Sequence, residues 1–234
     1  MLGLEHGLSS RVITSIVQDA AGTIWAGGRC APLSMLGPDG RFQPRLPQIA
    51  RVECGVSVPA ASDGTLWFGV DRAGLYAWRD GQLRHFGERE GLSSSIVTAI
   101  FEDRDGAIWI GADTANTHRQ RDGRLETFGP AHGLPPGRVV SFAQDANGRL
   151  WLGSNANGLF LLDEGRFRNV GPEEGLPTSL VSSLNIDSRG DLWIGTANRG
   201  LFRRRTGRYE HFGVRHGLPD PVIALMIEDL DANL

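Results

Sequence analysis

The chain has 234 residues and a formal net charge of −3, from 24 basic and 27 acidic side chains; histidine aside, every basic residue is arginine. With 40 % hydrophobic residues and 32 glycines it is not a disordered chain by composition, and no run approaches the ~20 apolar residues that a spanning helix needs. The arginines are scattered except for Arg203 to Arg205, so no basic face marks a nucleic-acid binder.

Met1 to Ser10 lacks the basic and apolar regions of a secretion signal. Gly7-Leu8 opens a first repeat: a strand over 12–18, a turn at Asp19 to Gly22, a strand carrying Trp25, a loop Arg29-Cys30-Ala31, and a later turn at Asp39-Gly40 that runs one residue out of phase. The second repeat is irregular. Ile49-Ala50 stands where a Gly-Leu pair belongs, and Ala61 replaces the turn aspartate ahead of Trp67; the loop Asp71-Arg72-Ala73 follows. The third repeat reads most clearly: Gly91-Leu92, strand A over 96–102, a tight turn at Arg104-Asp105-Gly106, strand B over 107–111, a loop at 112–115, strand C over 116–121, a turn at Asp122-Gly123 and strand D over 124–128. Glycine and aspartate there supply the backbone conformations that tight hairpins demand. Repeats four and five keep the pattern, with Gly133-Leu134, Asp145, Gly148 and Trp151, then Gly175-Leu176, Asp187, Gly190 and Trp193. Gly217-Leu218 and a strand over 222–228 follow, and the chain stops one residue short of the next tryptophan rung.

The rungs Trp25, Trp67, Trp109, Trp151 and Trp193 recur every 42 residues, the length of one four-stranded propeller blade. The expected fold is all-β: a β-propeller of five complete four-stranded blades plus the first strand of a sixth, as a partial or open ring. The blades fall at about 11–46, 52–87, 96–129, 138–171 and 180–213 of one domain, 1–234. The ladder tryptophans sit in strand B as wedges between blades; Trp78 is off the ladder. A chain ending inside a repeat is expected to be part of a larger ring. Alone it is expected either to be only marginally soluble or to self-associate through an uncovered terminal blade.

Three sets of residues are candidates for chemistry. The loops between strands B and C carry Arg29, Asp71, Arg72, Asp113, Asn155, Asn157, Asn198 and Arg199. They either hydrogen-bond a ligand's hydroxyls or carboxylate, or are simply the residue types that turns favour. Cys30 and Cys54 fall near the same face of adjacent blades, so a disulfide and two free thiols are both open. His6, His132 and His216 share one repeat position, filled by Glu90 and Glu174 elsewhere, and read as solvated loop residues on separate blades. The recurring Asp19, Asp103, Asp145, Asp187 and Asp229 read as turn residues. No catalytic constellation, metal set or cofactor motif stands out.

The phrase Asp-x-x-Gly-x-Ile/Leu-Trp-Ile-Gly, preceded by Gly-Leu and a short Val/Ile strand, resembles the two-component regulator propeller repeat; Gly91-Leu92 through Gly111 and Gly175-Leu176 through Thr196 match best. The resemblance implies a non-catalytic, extracytoplasmic or periplasmic sensor propeller of a bacterial signalling protein, binding a small molecule or oligosaccharide. Its output domain would lie in the remainder of a longer chain, and this segment would have no membrane contact. Two alternatives stay open: a propeller lyase resembling streptogramin B lyase, and a scaffold for a protein partner.

Overall fold

The computed structural model describes residues 3–19, 21–28, 31–45, 55–57, 61–70, 72–114, 116–171, 174–176, 180–224 and 226–229. Among these residues, twenty strands pair into five four-stranded antiparallel sheets, each a meander in chain order. Sheet one holds β1 (Ile13–Gln18), β2 (Ile24–Gly28), β3 (Ser34–Leu36) and β4 (Phe42–Pro44), and sheet two β5 (Gly55–Ser57), β6 (Leu66–Val70), β7 (Gly74–Arg79) and β8 (Gln82–Phe86). Sheet three holds β9 (Val97–Glu102), β10 (Ile108–Ala112), β11 (Thr117–Arg121) and β12 (Arg124–Phe128). Sheet four holds β13 (Val139–Gln144), β14 (Leu150–Ser154), β15 (Gly158–Asp163) and β16 (Arg166–Asn169), and sheet five β17 (Val181–Ile186), β18 (Leu192–Thr196), β19 (Leu201–Arg205) and β20 (Arg208–Phe212). These are the blades of a β-propeller. The chain forms two compact units, Met1–Ala112 with His118–Thr127, and Asp113–Thr117 with Phe128–Leu234. No helix among the described residues is long and apolar enough to cross a membrane.

Within each unit the tryptophans lie between stacked blades. In the first, Trp25 is buried with Leu66, Phe68 and Val70 of the next blade, and Trp67 with Val97, Ile108 and Ile110. Trp78, off the ladder, meets Trp25 edge-on at 5.3 Å between ring centroids. In the second unit Trp151 joins Val181, Leu184, Leu192 and Ile194.

The glycine two residues after the tryptophan is a socket. A Cβ on Gly69 would lie 2.7 Å from Val97 Cγ1, and one on Gly153 would lie 2.7 Å from Val181 Cγ1. Both valines open the inner strand of the following blade. Only glycine lets that β-branched knob seat against the preceding strand.

Residues 222–228, read from the sequence as a strand, form no paired strand among the described residues. The segment nevertheless lies where a next inner strand would. Ile223 fills the Gly195 socket, 2.8 Å from the site of a Cβ, and its N–H donates to Thr196 O at 2.9 Å. Glu228 accepts from Ser188 N and Oγ at 2.8 and 2.7 Å, as Glu102 accepts from Ser62 at 2.7 and 2.6 Å. The docking is incomplete. Ser141 Oγ accepts the N–H of Leu184 on the next blade, whereas its repeat counterpart Ser183 has a buried hydroxyl with no partner among the described residues. Ile227 stays 77 % exposed, since the described residues contain no strand for its outer side.

Candidate functional site

The blade end formed by the A-to-B and C-to-D turns is organised around one carboxylate per repeat. Asp19 Oδ1 accepts the N–H groups of Ala21 and Thr23 at 3.0 and 2.8 Å, while Oδ2 accepts Trp25 Nε1–H at 2.7 Å. Asp103 does the same for Asp105, Ala107 and Trp109 at 3.1, 2.9 and 2.8 Å. Asp187 repeats it for Arg189, Asp191 and Trp193 at 3.0, 2.8 and 2.8 Å. Asp145 binds Asn147, Arg149 and Trp151 likewise, and gains the Arg149 guanidinium at 2.7 Å. Burial alone would raise the pKa of Asp19, Asp145 and Asp187, but these donors outweigh it and hold all three below the ordinary aspartate value. Turn and tryptophan are thus one unit. The sequence shows both residues at fixed spacing without showing that they touch.

Arginines cover the exposed sides of the ladder rings. Arg119 lies 5.5 Å from the Trp109 ring centroid and pairs with Glu126 at 2.5 Å. Arg203 lies 5.4 Å from Trp193 and pairs with Glu210. Arg204 lies 4.8 Å from Trp151, and its Nε and Nη2 reach the two oxygens of Glu174 at 2.6 and 2.9 Å. That clamp, chiefly through the Arg204 hydrogen bonds, lowers the Glu174 pKa despite burial. Arg205 grips Asp191. The run Arg203 to Arg205 is therefore a set of ion-paired groups, the first two of them stacked on rings.

The B-to-C loops lie at the other blade end. Arg29, Cys30, Asp71 and Cys54 fall outside the described residues, so the disulfide expectation does too. Arg72 is exposed, in the left-handed region at φ 59°, and Asp113 is exposed. Asn157 is a structural tie: its Nδ2 donates to Pro136 O, and its carbonyl accepts Asn169 Nδ2–H, both at 2.8 Å. Asn155, Asn198 and Arg199 are exposed. The structure brings together Asn198 and Arg199 on the fifth blade's loop. Arg199 N–H donates to Thr196 Oγ1 at 3.0 Å, and Arg199 O lies 2.6 Å from His211 Nε2, which fixes the loop backbone and leaves the guanidinium facing solvent. Arg199 lines a cavity of about 340 Å³ with Gly175, Phe202, Tyr209 and His211. Burial and the nearby Glu174 raise the Tyr209 pKa, keeping its hydroxyl protonated.

The repeat model for the two component regulator propeller matches residues 7–29, 91–114, 133–156 and 175–198. Four of the chain's repeats are two-component regulator propeller repeats. Among solved structures, the extracellular domain of BT3049 from B. thetaiotaomicron, described as a hybrid two component system, superposes with a TM-score of 0.75 at 22 % identity, over 92 % of this chain and 30 % of that one. The extracellular domain of BT4673 from the same organism, described as a one component system, gives 0.74 at 21 % identity, over 94 % and 31 %. Virginiamycin B lyase from Staphylococcus aureus gives 0.71 at 17 % identity, over 86 % and 69 %. At these identities the likeness is one of fold, and the chain spans about a third of the extracellular domains it resembles. No curated protein matches this sequence.

Two sets of residues do more than their sequence suggests. His6, His132 and His216 are not merely solvated. Each Nδ1 accepts the N–H of the glycine three residues earlier, Gly3, Gly129 or Gly213, at 3.1, 3.2 and 3.0 Å, tying off a one-turn 3-10 helix. Glu90 does this for Gly87 at 2.7 Å. Their recurrence just before Gly-Leu is the signal that could have revealed the role. His118 of β11 is fully buried, its Nε2 bonded by Ser93 N and Oγ at 3.1 and 2.8 Å and its Nδ1 3.1 Å from Thr127 Oγ1. Because Ser93 N–H can only donate, Nε2 is the acceptor and the proton sits on Nδ1. Burial lowers its pKa to about 4, so the ring is neutral near pH 7 and a weak base. The arrangement suits a loop-to-strand tie better than a serine nucleophile; in blade one Ser9 and Ser34 make the equivalent link at 2.8 Å.

Proposed function

We propose that this propeller is the non-catalytic, ligand-binding part of an extracytoplasmic bacterial signalling protein, and that it takes a small molecule or oligosaccharide at its B-to-C loop end. The observation that carries this is the fifth blade's loop. Arg199 lines a cavity walled by Phe202, Tyr209 and His211 with no partner for its guanidinium among the described residues, and the exposed Asn198 precedes it in the loop. Flat aromatic walls with a few polar groups suit a hydroxylated or carboxylated ligand. The family repeats and the likeness to extracellular domains of signalling systems support the sensory setting. The test is calorimetric titration of the chain with a panel of oligosaccharides and small metabolites. Saturable binding that is lost in Arg199→Ala or Arg72→Ala supports the reading; binding indifferent to both replacements removes it.

The likeness to virginiamycin B lyase keeps an enzymatic reading in play. That reading calls for histidine and acidic side chains converging as metal ligands, and no such group occurs among the described residues. Metal-dependent turnover of a streptogramin by this chain would overturn the binding-module reading.

A further inference from the structure

The second blade lacks the carboxylate on which the others are built, and its absence opens onto a cleft. Ala61 stands at the aspartate position, yet the turn keeps the same backbone. Ala61 N–H donates to Thr65 O at 2.8 Å and Gly64 N–H to Ala61 O at 2.9 Å, as Asp103 and Gly106 do at 2.9 and 2.9 Å. The donors that the carboxylate would satisfy are therefore still in place. Asp63 Oδ1 has taken over one of them, Thr65 N–H, at 2.9 Å. Trp67 Nε1–H and Asp63 N–H have no acceptor among the described residues. Trp67 is only 6 % exposed, and its Nε1 is not fully enclosed, so the ring has an opening there. That opening is a cleft of about 620 Å³ between blades two and three, lined by Ala61, Asp63, Trp67, Phe86 and Arg84 among others.

We propose that this cleft binds a small carboxylate, whose oxygens take the place of the missing aspartate carboxylate on Trp67 Nε1–H and Asp63 N–H. The chemistry is that of the other four repeats, with the acceptor supplied by a ligand. Leaving a nearly buried indole donor without a partner costs free energy that an acceptor with the right reach recovers. The rest of the cleft suits the remainder of such a molecule. Trp67 and Phe86 form an apolar wall, their ring centroids 5.6 Å apart. Arg84, whose guanidinium lies 5.5 Å from the Phe86 centroid, has no ion-pair partner among the described residues and supplies a positive charge.

Two of the acids in the cleft are already engaged. Asp63 Oδ2 pairs with Arg79 at 2.7 Å, and Glu102 accepts from Ser62. Asp80 and Asp122 also line it and repel a second negative charge, which selects a monocarboxylate over a polyanion. This site lies at the opposite blade end from the B-to-C loops, and stands or falls independently of the function proposed above.

The test uses the indole N–H resonances of nitrogen-15-labelled protein, with Trp67 assigned through Trp67→Phe. Sodium acetate, lactate and galacturonate are titrated at constant ionic strength against sodium chloride. The expected result is a saturable downfield shift of the Trp67 indole proton with the other five unmoved. In Ala61→Asp the Trp67 resonance should move toward its ladder counterparts without ligand, and the response should weaken by roughly tenfold or more. Blade three already carries Asp103 and Asp105 together, so the variant has a native precedent; Ala61→Asn offers one acceptor oxygen without the charge. A Trp67 resonance that no carboxylate moves, or that moves as far in Ala61→Asp as in the unaltered chain, overturns the proposal.

Discussion

Replacing Gly153 by alanine adds a single methyl where two blades meet. Its Cβ would lie 2.7 Å from Val181 Cγ1 and 3.4 Å from Leu184 Cγ, so a sideways shift away from the valine runs into the leucine. Val181 is fully buried and cannot swing into solvent. Gly153 has no positive φ, so the backbone itself accepts alanine and the cost is steric. Overpacking of this kind costs roughly 1–3 kcal/mol, and the closed pocket puts this case near the upper end. Val181→Ala alone removes two buried methyls, about 2 kcal/mol with its cavity. The double variant places the new methyl in the space the valine vacates. Its loss should fall short of the sum of the singles by at least ~1 kcal/mol. Urea denaturation at pH 7 measures all three, with an unchanged m-value confirming that the folded state is what changed. Strict additivity would refute the knob-and-socket account of blade stacking.

Two further outcomes follow from a buried histidine and a half-buried aspartate. His118 titrates near 6.5 when unfolded and about 4 when folded, so its folded-state pKa is depressed and the unfolded chain binds more protons in between. Stability is full above ~6.5 and falls as pH drops toward 4, by about 2 kcal/mol between pH 7 and 5. Phenylalanine occupies the equivalent position in blades four and five, Phe160 and Phe202. His118→Phe should flatten that slope in urea midpoints taken at pH 5, 6 and 7, and an unchanged slope would count against the assignment. Asp187→Ala removes the acceptor of two turn N–H groups and of Trp193 Nε1–H. It should lower stability by about 2 kcal/mol. Since the Asp187 pKa is depressed, that difference is present above the unfolded value near 4 and shrinks as pH falls below it. A loss that persists unchanged at pH 3 would mean that the carboxylate is not the source.

Much of the architecture is legible in the sequence because a blade is a local object. Strands A to D are consecutive, their turns are set by Gly and Asp chemistry within a few residues, and the 42-residue period repeats the instruction. The same locality exposed the odd repeat, where Ala61 replaces the aspartate. Contacts across the repeat were not legible. That the turn aspartate holds the tryptophan six residues on depends on strand register. That the glycine after the tryptophan receives a valine 28 residues later depends on how blades stack. The Gly-Leu histidines fold back onto glycines in one-turn helices that no hydrophobic period announces. The candidate sites divide in the same way. The B-to-C loop residues could be picked out as polar loop residues, but only the tertiary structure shows Asn157 consumed in a tie and Arg199 left facing a cavity. The sequence by itself determined a chain of propeller blades, because periodicity and turn chemistry are written along the chain. Which donors, charges and sockets remain open was decided by packing between blades, since satisfaction of a hydrogen bond is a property of neighbours in space.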